Sequence, residues 1–191
     1  MKNCISFNNQ AVSFKDEELI LVDKNDTIVG HATKAVCHDG CGILHRAFSI
    51  FIFNDSKQLL LQKRSKQKRL WPLYWSNSCC SHPRKNEDNE TATQRRLKEE
   101  LGISIPLKFL FKFHYYVKLD GKGAENEYCS VYIGKSNKKI IANTNEISQL
   151  KFMDLSVLES KIAECSNTFT PWFKIELTRI LKNHMQDIED L

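Results

Sequence analysis

Apolar runs separated by turn residues set the outline of the chain. Glu18 to Val22 predicts a short strand, Lys24-Asn25-Asp26 supplies turn chemistry, and Thr27 to Gly30 returns as a second strand. A Phe- and Ile-rich run from Ala47 to Phe53 meets Leu59-Leu60-Leu61 across an Asn54-Asp55 turn, which predicts a buried hairpin. Asn89 to Leu101 predicts a helix: Asn and Asp residues precede it, and Gly102 supplies the stop. The aromatic-rich stretch Leu107 to Tyr116 predicts a long strand, with Tyr128 to Ile133 as its partner and Leu150 to Met153 as a further short strand. Asp154 stands where it would cap a helix carrying Leu155, Leu158 and Ile162. Thr170-Pro171 opens a final helix whose stripe is Phe173, Leu177, Ile180, Leu181 and His184. Strands with few helices between them predict an α+β fold, a mixed β-sheet sandwiched between helices.

Composition narrows the class. With 191 residues, 41% hydrophobic and 27% charged, the chain fits one globular domain, 1–191, with a real core. No apolar run approaches the ~20 residues of a membrane span. Met1-Lys2-Asn3-Cys4-Ile5 has no signal-peptide apolar region, so a cytoplasmic location is expected. There the seven cysteines stay reduced, as packing residues, metal ligands or reactive thiols. The formal charge of +5 points to an anionic ligand without naming it. Lys63, Arg64, Lys66, Lys68 and Arg69 place five positive charges in seven residues. This cluster reads as a solvated loop or a phosphate-binding loop; it is too short, in so nearly balanced a chain, to argue for nucleic acid.

Chemistry concentrates in a few places. His38 and His45 flank the turn-like Asp39-Gly40-Cys41-Gly42, His82 lies two residues past Cys80, and Glu125 and Glu127 flank Asn126. Residues i and i+2 of a strand share a face, so both carboxylates reach one ion if this segment is a strand. Three imidazoles and two carboxylates favour Zn²⁺, Mn²⁺ or a similar ion over Ca²⁺. Cys37, Cys41, Cys79 and Cys80 with nearby histidines offer a rival, a closed non-catalytic zinc site, which leaves Glu125, Glu127 and Arg96 without a role. On the helix, Arg96 and Glu100 are i, i+4, as are Arg95 and Glu99, and Glu87 stands eight residues before Arg95.

The run from Arg95 to Ile103, with Glu87, resembles the Nudix box, in which glutamates hold a divalent ion that binds diphosphate. Two positions depart from it: Ser81 stands at the leading Gly, and Arg96 stands where hydrolases carry a glutamate. Losing a metal carboxylate weakens metal-assisted attack by water, and an Arg offers a bidentate diphosphate clamp instead. A Nudix hydrolase is thus the nearest rival reading, and release of phosphate would distinguish it. The segments Lys34-Ala35-Val36-Cys37-His38, Leu44-His45-Arg46-Ala47-Phe48-Ser49, Trp71-Pro72, Ser76-Asn77-Ser78-Cys79-Cys80-Ser81-His82-Pro83, Arg95-Arg96-Leu97, Glu125-Asn126-Glu127 and Thr170-Pro171-Trp172 then occur in order. Together they resemble the type I isopentenyl-diphosphate isomerases, a Nudix-fold family, over residues 18–181, leaving 1–17 as an N-terminal extension.

This resemblance implies an isomerase interconverting isopentenyl and dimethylallyl diphosphate through a carbocation-like intermediate. It implies that His38, His45, His82, Glu125 and Glu127 bind one Zn²⁺ or Mn²⁺, and that Glu100 with the Cys80 backbone carbonyl holds a Mg²⁺. It further implies that Lys34, Arg64, Lys68 and Arg96 bind the diphosphate. Cys80 and Glu127 would be the acid/base pair, with Tyr115 beside Glu127 and Trp172 over the hydrocarbon end. Cys79 is expected to be a packing residue. The expected partner is a small diphosphate substrate, with no nucleic acid and no membrane, and the protein is expected to be a monomer or weak dimer.

Overall fold

The computed structural model describes residues 5–191. Its central strand is β4 (His45–Phe53), which pairs in parallel with β9 (Gly123–Lys135) over nine residues. β9 in turn pairs antiparallel with β8 (Lys108–Leu119). On the other side, Leu21 of β2 (Glu18–Val22) meets His45, and β2 pairs with β3 (Ile28–Thr33). β5 (Leu59–Arg64) pairs antiparallel with β11 (Ile147–Met153).

Alternation along β4 separates two cores. Phe48, Ile50 and Ile52 point to one face and pack with Ala92, Leu97 and Leu101 of the helix α2 (Asn89–Leu101). Ala47, Phe51 and Phe53 point to the other and pack with Leu158 of α3 (Leu155–Glu164) and with Trp172, Phe173, Leu177 and Ile180 of α4 (Pro171–Asn183). Fully burying a Leu or Phe side chain stabilises by about 1.5–3 kcal/mol, so each helix is held chiefly by its apolar face. The expected mixed sheet between helices is what forms. α2 starts where Asp88 accepts a bond from the Thr91 N–H at 2.7 Å, and ends at Gly102, which is left-handed at φ 67°. A Cβ there would lie 2.8 Å from the Cβ of Ile141, so only Gly fits.

The expected hairpin between β4 and β5 forms only at its turn, where Phe53 pairs with Leu59. Beyond that pair the strands part, and residues 75–81 fill the gap. β6 (Trp75–Ser76) pairs with β5, and β7 (Cys79–Ser81) pairs with β4. Ser78 replaces the missing ladder: its hydroxyl donates to the Leu60 carbonyl at 2.6 Å and accepts from the Ile52 N–H at 2.8 Å. The Asn77 amide donates to the carbonyls of Ile50 at 3.3 Å and Cys79 at 2.7 Å. Apolar patterning identifies strands but not their partners, and here polar side chains decide the partner.

Three smaller expectations shift. Asp154 occupies the N-cap of α3, but its carboxylate accepts from the Gln58 amide at 3.2 Å rather than from a helix N–H. His184 lies just past α4, stacked on Phe111 with ring centroids 5.3 Å apart and 2.8 Å from Asp187. Within the N-terminal extension, of which residues 1–4 lie outside the described residues, β1 (Ile5–Asn8) pairs in parallel with β10 (Ile140–Asn143). Two short helices, α1 (Lys34–Cys37) and α5 (Met185–Glu189), complete the elements used below.

Candidate active site

The carboxylates come first from strand geometry. Glu125 and Glu127 lie on one face of β9, and the parallel register sets His45, the first residue of β4, opposite Glu127. His38 follows α1, on a loop held against β9 by the Ala124 N–H donating to the His38 carbonyl at 3.1 Å. That approach requires Gly123, where a Cβ would fall 2.1 Å from the His38 oxygen. His82 directly follows β7. The three imidazole centroids are 4.8–5.0 Å apart, and one donor atom from each of the five residues lies within 4.8 Å of all the others.

The state of these donors fits a divalent cation. Nδ1 of His38 faces the Lys34 carbonyl at 2.8 Å and Nδ1 of His45 faces the Ile43 carbonyl at 2.7 Å, which leaves each Nε2 lone pair directed inward. Burial, reinforced by the neighbouring imidazoles, pushes His45 down to about 3 and holds His82 well below the usual range, so both rings are neutral, the ligand form. His45 Nε2, His82 Nδ1 and Glu125 Oε2 are buried without a hydrogen bond, although Glu125 Oε2 lies 2.9 Å from His38 Nε2. Close approach without hydrogen-bond alignment is what atoms aimed at a common centre show. Burial opposes ionisation of Glu125, but its contact with His38 outweighs it and holds that carboxyl at about 2. Burial and the adjacent Glu125 push Glu127 up. The Tyr115 hydroxyl donates to Glu127 Oε2, and His82 Nε2 lies 2.8 Å from Glu127 Oε1. The rival cysteine site does not form: Cys37 is buried with its thiol turned to the Ala32 carbonyl at 3.7 Å, Cys41 is exposed, and Cys79 is packed in the α2 core.

These groups line one end of a cavity of about 580 Å³. Cys80 opens onto it from β7. Burial pushes its thiol up to about 12 even though Arg64, 3.9 Å away, pulls the other way, so the thiol carries its proton at neutral pH. Trp172 forms the apolar wall, 2% exposed, edge-on to Trp71 at 5.3 Å and with the Arg64 guanidinium 5.2 Å from its ring. Arg64 is fixed by donating to the carbonyls of Trp71 at 3.0 Å and Leu70 at 2.9 Å. Trp71 and Leu73 adopt left-handed backbone at φ 45° and 64°, strain of about 1–3 kcal/mol each that turns this loop toward Arg64.

The opposite end is basic. Lys34 Nζ reaches Ser13 Oγ at 2.5 Å, and burial followed by the nearby Lys68 and Arg96 lowers its pKa to about 8. Arg96, only 2% exposed, already has partners throughout: Glu100, Glu99 at 3.1 Å, Glu146 at 3.3 Å and the Val12 carbonyl at 2.8 Å. Lys68 is paired with Glu146, whose carboxyl is held at about 2 by Lys68 and then Arg96 against the cost of burial. Glu146 escaped the sequence reading, because nothing local distinguishes it within the turn Asn143-Thr144-Asn145. The lining from Val12 to Lys15 escaped it too, since that segment reaches the cavity through the β1–β10 pairing and through long-range bonds from Lys34, Ala35 and Arg96. Of the five clustered basic residues, Arg64, Lys68 and Arg69 line the cavity. Arg69 is tied at the surface to Asp39 at 2.6 Å and the Lys122 carbonyl at 2.9 Å.

Comparison with known proteins places this geometry. A NUDIX domain model matches residues 43–173. An isopentenyl-diphosphate Delta-isomerase of Photorhabdus laumondii is 43% identical, covering 92% of this chain and 97% of its own. The isopentenyl-diphosphate delta-isomerase of Schizosaccharomyces pombe is 33% identical, covering 96% of this chain and 90% of its own. A solved structure from Deinococcus radiodurans superposes with a TM-score of 0.63 at 25% identity, covering 78% of this chain and 90% of that one. A MutT protein from Methanosarcina mazei, 17% identical with a TM-score of 0.61 over 74% of this chain and 96% of its own, shares the fold.

Proposed function

We infer, since the chain belongs to the isopentenyl-diphosphate Delta-isomerase family of NUDIX-domain proteins, that it interconverts isopentenyl and dimethylallyl diphosphate in isoprenoid biosynthesis. The observation that supports this most is the convergence, around one cavity, of a protonated thiol, a carboxylate cluster, an indole wall and a basic end. In our reading Cys80 and Glu127 move the two protons. One group protonates an alkene carbon, which leaves a tertiary cation, and the other takes a proton from the neighbouring carbon. Tyr115, bonded to Glu127, orients that carboxyl and holds it against the cavity. The face of Trp172 stabilises the cation, worth ~2 kcal/mol or more when desolvated, and excludes the water that would capture it.

Lys34, Arg64, Lys68 and Arg96 hold the diphosphate and so fix the register of the hydrocarbon end against the acid and base. His38, His45, His82, Glu125 and Glu127 would hold a Zn²⁺ or Mn²⁺, and Glu100 with the Cys80 carbonyl a Mg²⁺. When bound, such ions supply positive charge that tunes the acid–base carboxylate and offsets the diphosphate. The chain is read as a cytoplasmic monomer or weak dimer, one domain over 1–191, that binds no nucleic acid. The gathering of basic side chains inside the cavity supports a small anion as ligand, and no described helix is long and apolar enough to cross a membrane.

The test is direct. Purified protein with Mg²⁺ should equilibrate the two diphosphates without releasing phosphate, and Cys80→Ala should abolish this. Full activity in Cys80→Ala would remove the thiol from the mechanism, and phosphate release would favour a hydrolase. Gel filtration over a concentration series checks the oligomeric state.

A further inference from the structure

One buried acid has no part in this chemistry. Glu176 lies on α4, one turn after Trp172, and is fully buried. Its Oε1 is 3.5 Å from Cys129 Sγ, and Cys129 Sγ is 3.6 Å from Ser49 Oγ. Its Oε2 has no partner. Each contact leads to an element of the site. Cys129 follows Glu127 by two residues on the same face of β9. Ser49 lines the cavity and pairs with Cys80 across β4 and β7. α4 itself carries Trp172.

We propose that Glu176 is a positioning residue for the isomerisation: its carboxyl ties α4 to β9 and β4 behind the cavity wall, and so holds Glu127, Cys80 and Trp172 in mutual register. The inference rests on the acid–base reading above. The carboxyl does this in its neutral form. The charged and titratable groups around it are Glu127 and Cys129 from β9 and Arg179 from α4; β4 contributes only the Ser49 hydroxyl. No cation neutralises it at close range, because the Arg179 guanidinium is exposed and lies 4.4 Å over the Phe113 ring. An ionised carboxylate in such a place is costly, and burial pushes Glu176 up to about 8. The bonds from Ser49 and from Cys129, which donates to Oε1, favour the ionised form, but burial outweighs them. Once it ionises, a negative charge stands behind the acid–base pair.

Steady-state isomerisation of wild type, Glu176→Leu and Glu176→Gln across pH 6–10 tests this. Glu176→Leu should lower kcat about 10- to 100-fold with little change in KM, the scale expected when catalytic groups are displaced by a fraction of an ångström. Glu176→Gln, which keeps the shape and neutrality, should restore most of that loss. Loss of the Lys34 charge near pH 8 should appear in KM, so the readout is kcat at saturating diphosphate: wild-type kcat should fall above about pH 8, and Glu176→Gln should lack that fall. Wild-type kcat in Glu176→Leu, or the same alkaline fall in Glu176→Gln, overturns the proposal. If Glu176→Leu does not fold, the pH profile of Glu176→Gln decides alone. Cys80→Ala separates the two readings: if it is inactive while the Glu176 variants behave as wild type, only this inference fails.

Discussion

At the His–Glu end of the cavity, three buried atoms, His45 Nε2, His82 Nδ1 and Glu125 Oε2, have no hydrogen bond. At the basic end, nearly every charge already has one. Three donors of the first end, His45, Glu125 and Glu127, sit on strands, and Nδ1 of His38 and of His45 is engaged by a backbone carbonyl. The second is built from residues on loops, helices and the N-terminal segment, and Glu100 and Glu146 serve as internal anions for Arg96 and Lys68. On the proposed reading, a cation would take up donors already gathered at the first end, whereas a diphosphate at the second would compete with carboxylates already in place. Preorganisation would then lower the cost of binding at the one, and counter-ion exchange would raise selectivity at the other.

Mutations at the two ends should therefore differ in kind. The largest effect is expected at the His–Glu end: His45→Ala should abolish retention of Zn²⁺ or Mn²⁺ by metal analysis and lower isomerase activity about 1,000-fold, since buried donors then face each other with no ion to share. Metal and activity both retained in His45→Ala would remove His45 from the ligand set. Next, Lys68→Met should raise KM about 30-fold with a smaller change in kcat, the value of one charge-assisted hydrogen bond of about 2 kcal/mol. An equal fall in kcat with KM unchanged would mean that Lys68 acts only in the transition state.

Glu146→Gln probes the counter-ion idea. Removing one partner of a buried ionic network should destabilise the protein by about 2–3 kcal/mol, a Tm decrease of roughly 5–10 °C. Added inorganic pyrophosphate should recover more Tm in this variant than in wild type, because the competing anion is gone. Equal recovery would refute competition. The same residue predicts a pH dependence. Its folded pKa, held at about 2, lies below the unfolded value near 4.5, so its stabilisation is present above pH 4.5 and is lost as pH falls from there through 2. Acid unfolding curves should separate wild type from Glu146→Gln above pH 4.5 and converge toward pH 2. The smallest effect is expected from Arg69→Ala, whose pair with Asp39 is exposed on both sides: below about 0.5 kcal/mol in stability, with KM unchanged. A raised KM there would enlarge the functional part of the basic cluster.

The sequence by itself determined most of the local elements and which residues were candidates for the chemistry. The apolar run of β4, the Asp88 and Gly102 ends of α2, and the i, i+2 spacing of Glu125 and Glu127 are all short-range features, so they are legible in a single chain. Only the tertiary structure decided the rest. It opened the β4–β5 hairpin to admit residues 75–81 and thereby brought Cys80 to the cavity. It paired β1 with β10 and so laid Val12 to Lys15 along the basic end. It set Glu146 against Lys68, and Glu176 behind Ser49 and Cys129. These are pairings between residues tens of positions or more apart. An isolated Glu in a turn or on a helix reads as solvated, and only packing shows that it is buried beside a charge or without one.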